Sequence, residues 1–389
     1  MLARSTLRIL LLSTAIALVT YFGLASPWYE APPSEPDPTM AFQSFWPSRC
    51  GFPAPFSDPE YPADALALRE KISATIAGLP SDTVKVLFVG SSHTFAHNMP
   101  EMVRALFRSR GKNAFVLMVG PGGASLTKNW YERKAEALIT AGLLQYVVFQ
   151  EQSHASVSCP GTMRDGVAYF TNLARQFGAE PLLYMTWFHR YIPSTYHARE
   201  MNYVLSALYA DVPMAPAGVA WRLAQEGDRS IELLARDGNH GTQAGMYLSA
   251  LSIYAALSGK SPVGLPASLT MVDSPAVLVT LSDEEALYLQ EKAEEAQKRT
   301  YDMSVVENLP REPIGLPYVA SSLYHFGLFD KAETALDGLR PATDEDKRRI
   351  KRARETIEQT RANYHYSRLF PERAFLSRKV ATTVLRPPT

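Results

Sequence analysis

An aspartate and a histidine lie three residues apart at Asp237 and His240. In a turn, this spacing lets the carboxylate reach Nδ1 of the imidazole and leaves Nε2 pointing outward as a base. A helix-capping aspartate beside a surface histidine is the simpler explanation of the same two residues. Taken alone, the pair leaves both interpretations open.

A serine, Ser92, follows a short apolar run that ends at Gly90. A serine at a tight strand-to-helix turn is held with its hydroxyl exposed at the edge of a sheet, where a nucleophile is needed. The alternative is a helix N-cap, because a serine hydroxyl accepts a hydrogen bond from a free amide there. Both uses of Ser92 remain open at this point.

Two further loops carry groups that suit an oxyanion. Gly122 and Gly123 lie in a glycine-rich loop, and a glycine lets its backbone amide approach a substrate closely. Gln152 lies in a polar cluster after the next apolar run, and a side-chain amide can donate to an oxyanion. The rival for the glycines is a dinucleotide-binding loop, but the full G-x-G-x-x-G spacing is missing. Ordinary loop polarity is the rival for Gln152.

Four short, nearly continuous apolar runs hold these loops in place. Such runs suit strands that are buried on both faces of a sheet. They span 84–89, 115–119, 146–149 and 181–185. Amphipathic stretches that predict helices lie at 99–110, 130–141, 163–177 and 196–209. This alternation implies a parallel sheet covered by helices, with ligands at the carboxyl ends of the strands.

Further helices are predicted towards the carboxyl terminus. One spans 242–257, and Ser282 with Glu285 forms a capping-box signature for another. Three more are predicted at 316–325, 329–339 and 344–364. The first two of these resemble half of a tetratricopeptide repeat. Because about three repeats are needed for a solenoid, a structural addition is the preferred interpretation over a peptide-binding array.

The predicted organisation has four parts. A signal peptide or membrane anchor covers 1–28, a Pro-rich linker with a lead-in helix 29–80, the α/β domain 81–300 and the helical extension 301–389. The first part follows from an uncharged apolar run at 9–25 behind Arg4 and Arg8. Its charge bias predicts export of the rest of the chain, to the periplasm in a bacterium.

The chain order Ser, Gly, amide and Asp-x-x-His resembles the SGNH (GDSL-type) hydrolase family, whose blocks carry Ser, Gly, Asn and Asp-x-x-His. The likeness covers about residues 84 to 260 and is most specific around His240 and the Gly245 helix. The segments 184–187 and 215–218, together with Trp221, also look like a less-characterised subgroup with a G-N-S-x-T-like first block. The resemblance implies a flavodoxin-like three-layer α/β/α sandwich with a parallel sheet, followed here by the helical extension.

Carried over by position, the resemblance implies Ser92 as the nucleophile, His240 as the base and Asp237 as the residue that orients it. Ser91 departs from the pattern, because Asp or Asn usually precedes the nucleophile. The implied reaction is attack of Ser92 on an ester carbonyl, followed by hydrolysis of the acyl-enzyme. No metal or cofactor is implied.

The resemblance also implies an oxyanion hole. Its donors are the backbone amides of Ser92 and Gly123, with Gly122 as the alternative, and the side chain of Gln152. The family has Asn where Gln152 stands. A glutamine offers the same donor on a stem one methylene longer, so the hole survives if its loop is set back.

The implied function is that of a serine esterase acting on an O-acetyl or short acyl ester, carried by a small molecule or an envelope glycan. Trp130, Trp187, Phe188 and Tyr191 suit an aromatic wall for this substrate, although core packing is the commoner use of such residues. An O-acyltransferase with the same triad is the nearest alternative, decided by access of water. A catalytically weak envelope binding or assembly protein is the third, because two motif positions depart from the family.

The charge balance argues against nucleic acid as a partner. Basic and acidic residues number 39 each, and 46% of the residues are hydrophobic, as in a folded globular protein. A basic run at 347–354 is expected to be a solvated face paired with nearby acids rather than a lipid contact. An oxidising compartment permits a disulfide between Cys50 and Cys159, with two separate thiols as the alternative. The oligomeric state is left open.

Overall fold

A parallel five-stranded sheet forms the centre of the computed structural model, which describes residues 60–191, 193–307, 316–341 and 343–363. The strands are β1 Val84–Val89, β2 Ala114–Val119, β3 Tyr146–Phe149, β4 Glu180–Tyr184 and β5 Met214–Ala215. Their order is β2-β1-β3-β4-β5, and every neighbouring pair is parallel. This is the flavodoxin-like doubly wound order. The predicted fold class is therefore confirmed.

Helices cover both faces of the sheet. They are α1 Ala63–Ala77, α2 Ser92–Phe95, α3 Met99–Ser109, α4 Leu126–Glu132, α5 Lys134–Ile139, α6 Ala155–Ser158, α7 Pro160–Gln176, α8 Tyr196–Ala210, α9 Ala217–Glu226, α10 Gln243–Ser258, α11 Asp283–Lys298, α12 Leu316–His325, α13 Phe329–Asp337 and α14 Asp344–Asn363. Helices α3, α9, α10 and α11 pack together on one face, where α3 and α10 contact the strands. On the other face α7 lies against β3 and β4, with α1, α4, α5 and α8 grouped around it. Three layers result.

Helix α10 is the most deeply buried helix of the first face. Each of its residues from Ala244 to Leu257 is buried, as expected for a helix that is apolar on all sides. The hydroxyl of Thr242 caps it by accepting a hydrogen bond from the Gly245 amide at 3.2 Å. Because this cap lies two residues after His240, the buried helix fixes the end of the loop that carries the histidine.

The prediction of one continuous helix at 130–141 is wrong. The structure has two helices there, α4 and α5, divided at Arg133, whose φ is +54°. The guanidinium of Arg133 binds both carboxylate oxygens of Glu136, at 3.1 and 3.0 Å. This contact holds a left-handed residue between two helices, which the apolar pattern alone does not reveal.

Several elements have no counterpart among the predictions. Strand β5 is only two residues long, helix α9 follows it directly, and an antiparallel hairpin joins β6 Ser268–Thr270 to β7 Val277–Thr280. The hairpin packs on α3 and α10. The capping box of Ser282 and Glu285 is present at the start of α11, as predicted.

The helical extension packs against the α/β domain. Helices α12, α13 and α14 share an apolar cluster in which Leu323 and Ile357 of the extension meet Val157, Met201 and Leu205 of the domain. On α14 the basic run pairs with its own acids, for example Lys347 with Asp344 at 2.8 Å and Arg348 with Glu345 at 2.7 Å. The extension is thus docked on the domain, and its basic face is paired as predicted.

The predicted signal peptide or anchor, the linker up to residue 59 and Cys50 lie outside the described residues. Cys159 is in a disulfide. Helix α1 matches the predicted lead-in helix. Within the described part of the chain, no helix has the length and apolar character needed to cross a membrane.

Candidate active site

Three predicted residues from distant parts of the chain form one line of hydrogen bonds. Nδ1 of His240 lies 2.5 Å from Oδ2 of Asp237, and Nε2 lies 2.8 Å from Oγ of Ser92. With Nδ1–H donating to the carboxylate, Nε2 is left as the acceptor of the serine hydroxyl proton. The His240 and Asp237 side chains are 39% and 37% exposed, so the line is open to solvent.

The acid and the base are held by a turn that the aspartate itself organises. Oδ1 of Asp237 accepts hydrogen bonds from the backbone amides of Asn239 at 3.0 Å and His240 at 2.9 Å. Partial burial raises the pKa of Asp237, but the hydrogen bonds from His240 and from these amides outweigh it, and the pKa lies below its ordinary value. Asp237 is therefore ionised at neutral pH, which fixes the tautomer of His240.

The turn before Ser92 is held by Gln150, a residue that the sequence did not single out. Its buried Oε1 accepts from the Ser91 amide at 3.1 Å, the Ser91 hydroxyl at 3.1 Å and the Thr94 hydroxyl at 2.9 Å. Ser92 then opens helix α2 at the carboxyl end of β1. Ser91, which replaces the usual Asp or Asn, thus has a defined polar partner. The sequence signal that could have identified Gln150 is its position as a polar residue directly after a buried strand.

The glycine-rich loop lies directly against the nucleophile turn. Gly120 has φ +119°, and a Cβ there would meet the Gly90 carbonyl oxygen at 2.0 Å. The Asn129 amide joins the two loops by donating to the Gly90 carbonyl at 3.1 Å and to the Ser125 carbonyl at 3.0 Å. A side chain larger than hydrogen at Gly120 would separate the loops.

The two predicted glycine donors lie further along the same loop. Gly123 has φ +70°, and the space where a Cβ would point from it is open. A Cβ at Gly122 would lie 3.8 Å from the ring of Phe95, an exposed residue of α2. The loop therefore leaves open space next to Gly123.

The side-chain oxygen of Gln152 binds backbone amides of its own loop. Its Oε1 accepts from the amides of His154 at 2.8 Å and Ala155 at 2.7 Å, which begins α6. Its Nε2 donates to no residue in the described ranges, so the amide group that the prediction requires is unused. The hydrogen bonds to Oε1 thus also fix the position of Nε2.

Glu151 joins the two loops that carry the predicted oxyanion donors. Its Oε1 accepts from the Leu126 amide at 3.2 Å and from the Gln152 amide at 2.7 Å. Oε2 is buried with no hydrogen-bond partner. Burial raises the pKa of Glu151 to about 7, although the two amide hydrogen bonds lower it. This buried acid was also missed by sequence reasoning.

The buried ring of His93 lies next to the rings of both Trp187 and His240. The ring of His93 lies 4.7 Å from that of Trp187 and 5.3 Å from that of His240. Burial keeps the pKa of His93 well below its ordinary value, so this ring is neutral at neutral pH. Trp187 stacks on Trp221 at 3.9 Å and is fully buried.

The four aromatic residues suggested as a substrate wall therefore divide. Trp130 and Trp187 are buried, at 3% and 0% exposure, and serve the core. Phe188 and Tyr191 are half-buried. No group of His, Cys, Asp and Glu suited to a metal ion is found among the residues that the structure describes.

No protein-family model and no curated protein matches the chain. Solved structures do, among them a candidate SGNH hydrolase from Slackia heliotrinireducens, with 26% identity, 44% of this chain and 97% of that chain covered and a TM-score of 0.38. A DUF4886 family protein from Bacteroides uniformis is 17% identical, with 55% of this chain and 95% of that chain covered and a TM-score of 0.45. A candidate acylhydrolase from Bacteroides fragilis is 15% identical, with 49% of this chain and 94% of that chain covered and a TM-score of 0.35.

The chain is thus similar to SGNH-type hydrolase structures, as the motif order predicts. The likeness to the G-N-S-x-T subgroup stays a prediction. What the site can do chemically follows from its own geometry.

Proposed function

We propose that this protein is a serine hydrolase of the SGNH type that cleaves a carboxylic ester through an acyl-enzyme on Ser92. The observation that carries the proposal is the hydrogen-bonded line from Ser92 through His240 to Asp237, at 2.8 and 2.5 Å. A serine hydroxyl is a weak nucleophile until a base within hydrogen-bond reach can take its proton, and His240 meets this condition.

In the first half-reaction Oγ of Ser92 attacks the ester carbonyl carbon while Nε2 of His240 takes the hydroxyl proton. The tetrahedral intermediate collapses, the bond to the alcohol oxygen breaks, and His240 returns the proton to the leaving alcohol. Water then attacks the acyl-enzyme with His240 again as the base, which releases the acid and restores Ser92. Asp237 stabilises the imidazolium in both halves and keeps its own charge.

The oxyanion is proposed to accept from the amides of Ser92 and Gly123 and from Nε2 of Gln152. Two features support this set. The loops that carry Gly123 and Gln152 are tied together by Glu151, and Oε1 of Gln152 is fixed by the amides of its own loop. Fixed donors need no reorganisation as charge develops on the oxygen, which is where their catalytic effect originates.

We further propose an O-acetyl or other short acyl ester as the substrate group. Open space beside Gly123 and the exposed ring of Phe95 near Gly122 suit a small acyl group at this end of the site. The exposure of His240 and Asp237 admits water to the base, which favours hydrolysis over transfer to a sugar hydroxyl. An envelope glycan as the carrier rests on the predicted export of the chain.

Turnover of p-nitrophenyl acetate by the purified full-length chain tests the proposal. The wild type should release p-nitrophenol well above the buffer rate, and Ser92→Ala should fall to that rate. Ser109→Ala, which removes a hydroxyl from the surface of α3, is the matched control and should keep wild-type turnover. Full turnover by a folded Ser92→Ala protein would reject Ser92 as the nucleophile.

A further inference from the structure

A buried arginine beside the candidate active site lacks a carboxylate partner. Arg199 lies in the first turn of α8 and is 3% exposed. Its Nη1 donates to the Trp187 carbonyl at 2.7 Å, and its Nε is buried without a partner. Among the described residues no carboxylate forms an ion pair with it. A guanidinium has five N–H donors, so most of its hydrogen-bonding capacity is unused.

The contrast with Arg133 shows what is unusual about Arg199. Arg133 is 5% exposed, but it binds both carboxylate oxygens of Glu136. Burial of a charge is costly unless an opposite charge or a full set of hydrogen bonds compensates for it. Burial lowers the pKa of Arg199 to about 10, which still leaves the group protonated at neutral pH.

Two histidines extend the donor surface towards the triad. His154 and His189 follow β3 and β4 at the carboxyl edge of the sheet, with ring centroids 5.8 Å apart. Nδ1 of His189 accepts from the Tyr191 amide at 3.2 Å, so Nε2 carries the proton of the neutral ring and is a donor. Burial lowers the pKa of His189 to about 4 and also lowers that of His154.

This cluster adjoins the catalytic base. Nη1 of Arg199 binds the Trp187 carbonyl at 2.7 Å, and the ring of Trp187 lies 4.7 Å from the ring of His93. The ring of His93 in turn lies 5.3 Å from the ring of His240. The carboxylate of Asp237 is already engaged by His240 and by two backbone amides.

We propose that Arg199, with His189 and His154, forms a subsite that binds a carboxylate on the substrate, beside the ester that Ser92 attacks. The subsite rests on the proposed function, because the ester places the substrate. A carboxylate fits the charge, since one guanidinium and two neutral imidazoles together carry a single positive charge. A phosphate monoester carries nearly two negative charges at neutral pH. The substrate is then an acyl ester of an acidic compound, such as a uronate-containing glycan.

Binding of matched charged and neutral ligands tests the subsite without requiring turnover. In the Ser92→Ala protein, calorimetry compares the acetyl esters of three hydroxy acids (acetoxyacetate, 3-acetoxypropionate and 4-acetoxybutyrate) with the methyl esters of the same compounds, which lack the negative charge. At least one monoanion should bind about tenfold or more tightly than its neutral counterpart, because charge-assisted hydrogen bonds are formed only with the anion. Equal affinity within every pair overturns the subsite.

Arg199→Gln in the same background should abolish the preference for the monoanion. Arg175→Gln, which changes an arginine at the opposite end of β4, is the control and should keep it. If Arg199→Gln does not fold, Arg199→Lys keeps the charge without the planar fork and should weaken the preference several-fold. A preference that survives in a folded Arg199 variant at its full size also overturns the proposal.

The two proposals fail in different ways. A preference that depends on Arg199, together with a wild type that hydrolyses no ester, supports the subsite and rejects the esterase. Hydrolysis of p-nitrophenyl acetate without any preference for the monoanions supports the esterase and rejects the subsite.

Discussion

The triad and the Arg199 cluster differ in how their polar groups are satisfied. Asp237, His240 and Ser92 bind one another at 2.5 and 2.8 Å, and the second oxygen of Asp237 accepts from two amides. Arg199 donates one hydrogen bond and keeps a buried Nε unpaired. The triad is therefore organised before any ligand arrives, whereas the cluster acquires its full set of partners only with an anion bound.

Substitutions in the triad should have the largest effect on activity. His240→Ala removes the base, and Asp237→Asn removes the charge that fixes the imidazole tautomer, so each should lower kcat for p-nitrophenyl acetate by about 10⁴-fold. Asp273→Asn, which changes an exposed acid paired with Arg104, is the control and should leave kcat unchanged. A decrease of less than about tenfold in both triad variants would contradict the account.

Loss of the proposed oxyanion donor, Gln152, should have the next largest effect. Gln152→Ala should lower kcat by about 10² to 10³-fold, the usual effect of losing one donor. Gln152→Glu retains an acceptor for the amides of His154 and Ala155 but has no N–H group at neutral pH. It should therefore lose as much activity while keeping the thermal stability of the loop. Wild-type kcat in the folded Glu variant would show that Gln152 only caps α6.

A substitution in the turn before Ser92 should lower the stability of the protein more than its activity. Gln150→Leu leaves the Ser91 amide and the Ser91 and Thr94 hydroxyls without their buried acceptor. The free energy of unfolding in urea should fall by about 1–3 kcal/mol. Gln145→Ala removes an acceptor from an exposed Lys85 amide instead and should cost less. Equal losses in the two variants would argue against a special role for Gln150.

Glu151 should affect neither kcat nor stability at one fixed pH as clearly as the pH dependence of stability. Its pKa is raised to about 7 in the folded protein, so the folded state holds a proton that the unfolded state releases above its ordinary pKa. Stability from this group therefore falls as pH rises from about 4.5 to about 7 and stays constant above that. This decline in the free energy of unfolding is at most about 3 kcal/mol, and Glu151→Gln should remove it.

Thermal unfolding of both proteins between about pH 5 and pH 8 measures the difference. Buried histidines with lowered pKa values, such as His93 and His189, contribute the opposite slope below their ordinary pKa. Because they are present in both proteins, the difference between variant and wild type isolates Glu151. A Tm difference that does not change with pH would mean that Glu151 titrates normally.

What the sequence predicts well is local or periodic. The apolar runs give four strands of the sheet, and the spacing of Asp237 and His240 predicts a turn that the structure contains. The sheet order then brings Ser92, 148 residues away, to that turn. These features depend on residues near one another in the chain or on the topology that strand–helix alternation imposes.

What it misses depends on contacts between distant residues without a periodic pattern. The bond between Ser91 and Gln150 joins residues 59 apart, and both belong to segments whose apolar neighbours dominate the pattern. Arg199 looks like an ordinary charged residue of an amphipathic helix, and only its burial without a carboxylate marks it. Strand β5 was missed because two residues are too few to establish an alternation.

The most direct test of an activated Ser92 is covalent labelling of the full-length chain with a fluorophosphonate probe, followed by mass mapping of the modified residue. The account predicts one adduct on Ser92 in the wild type, a much slower reaction in His240→Ala and no adduct at this site in Ser92→Ala. A folded wild-type protein that stays unlabelled, or an adduct that forms equally fast without His240, would contradict the central claim.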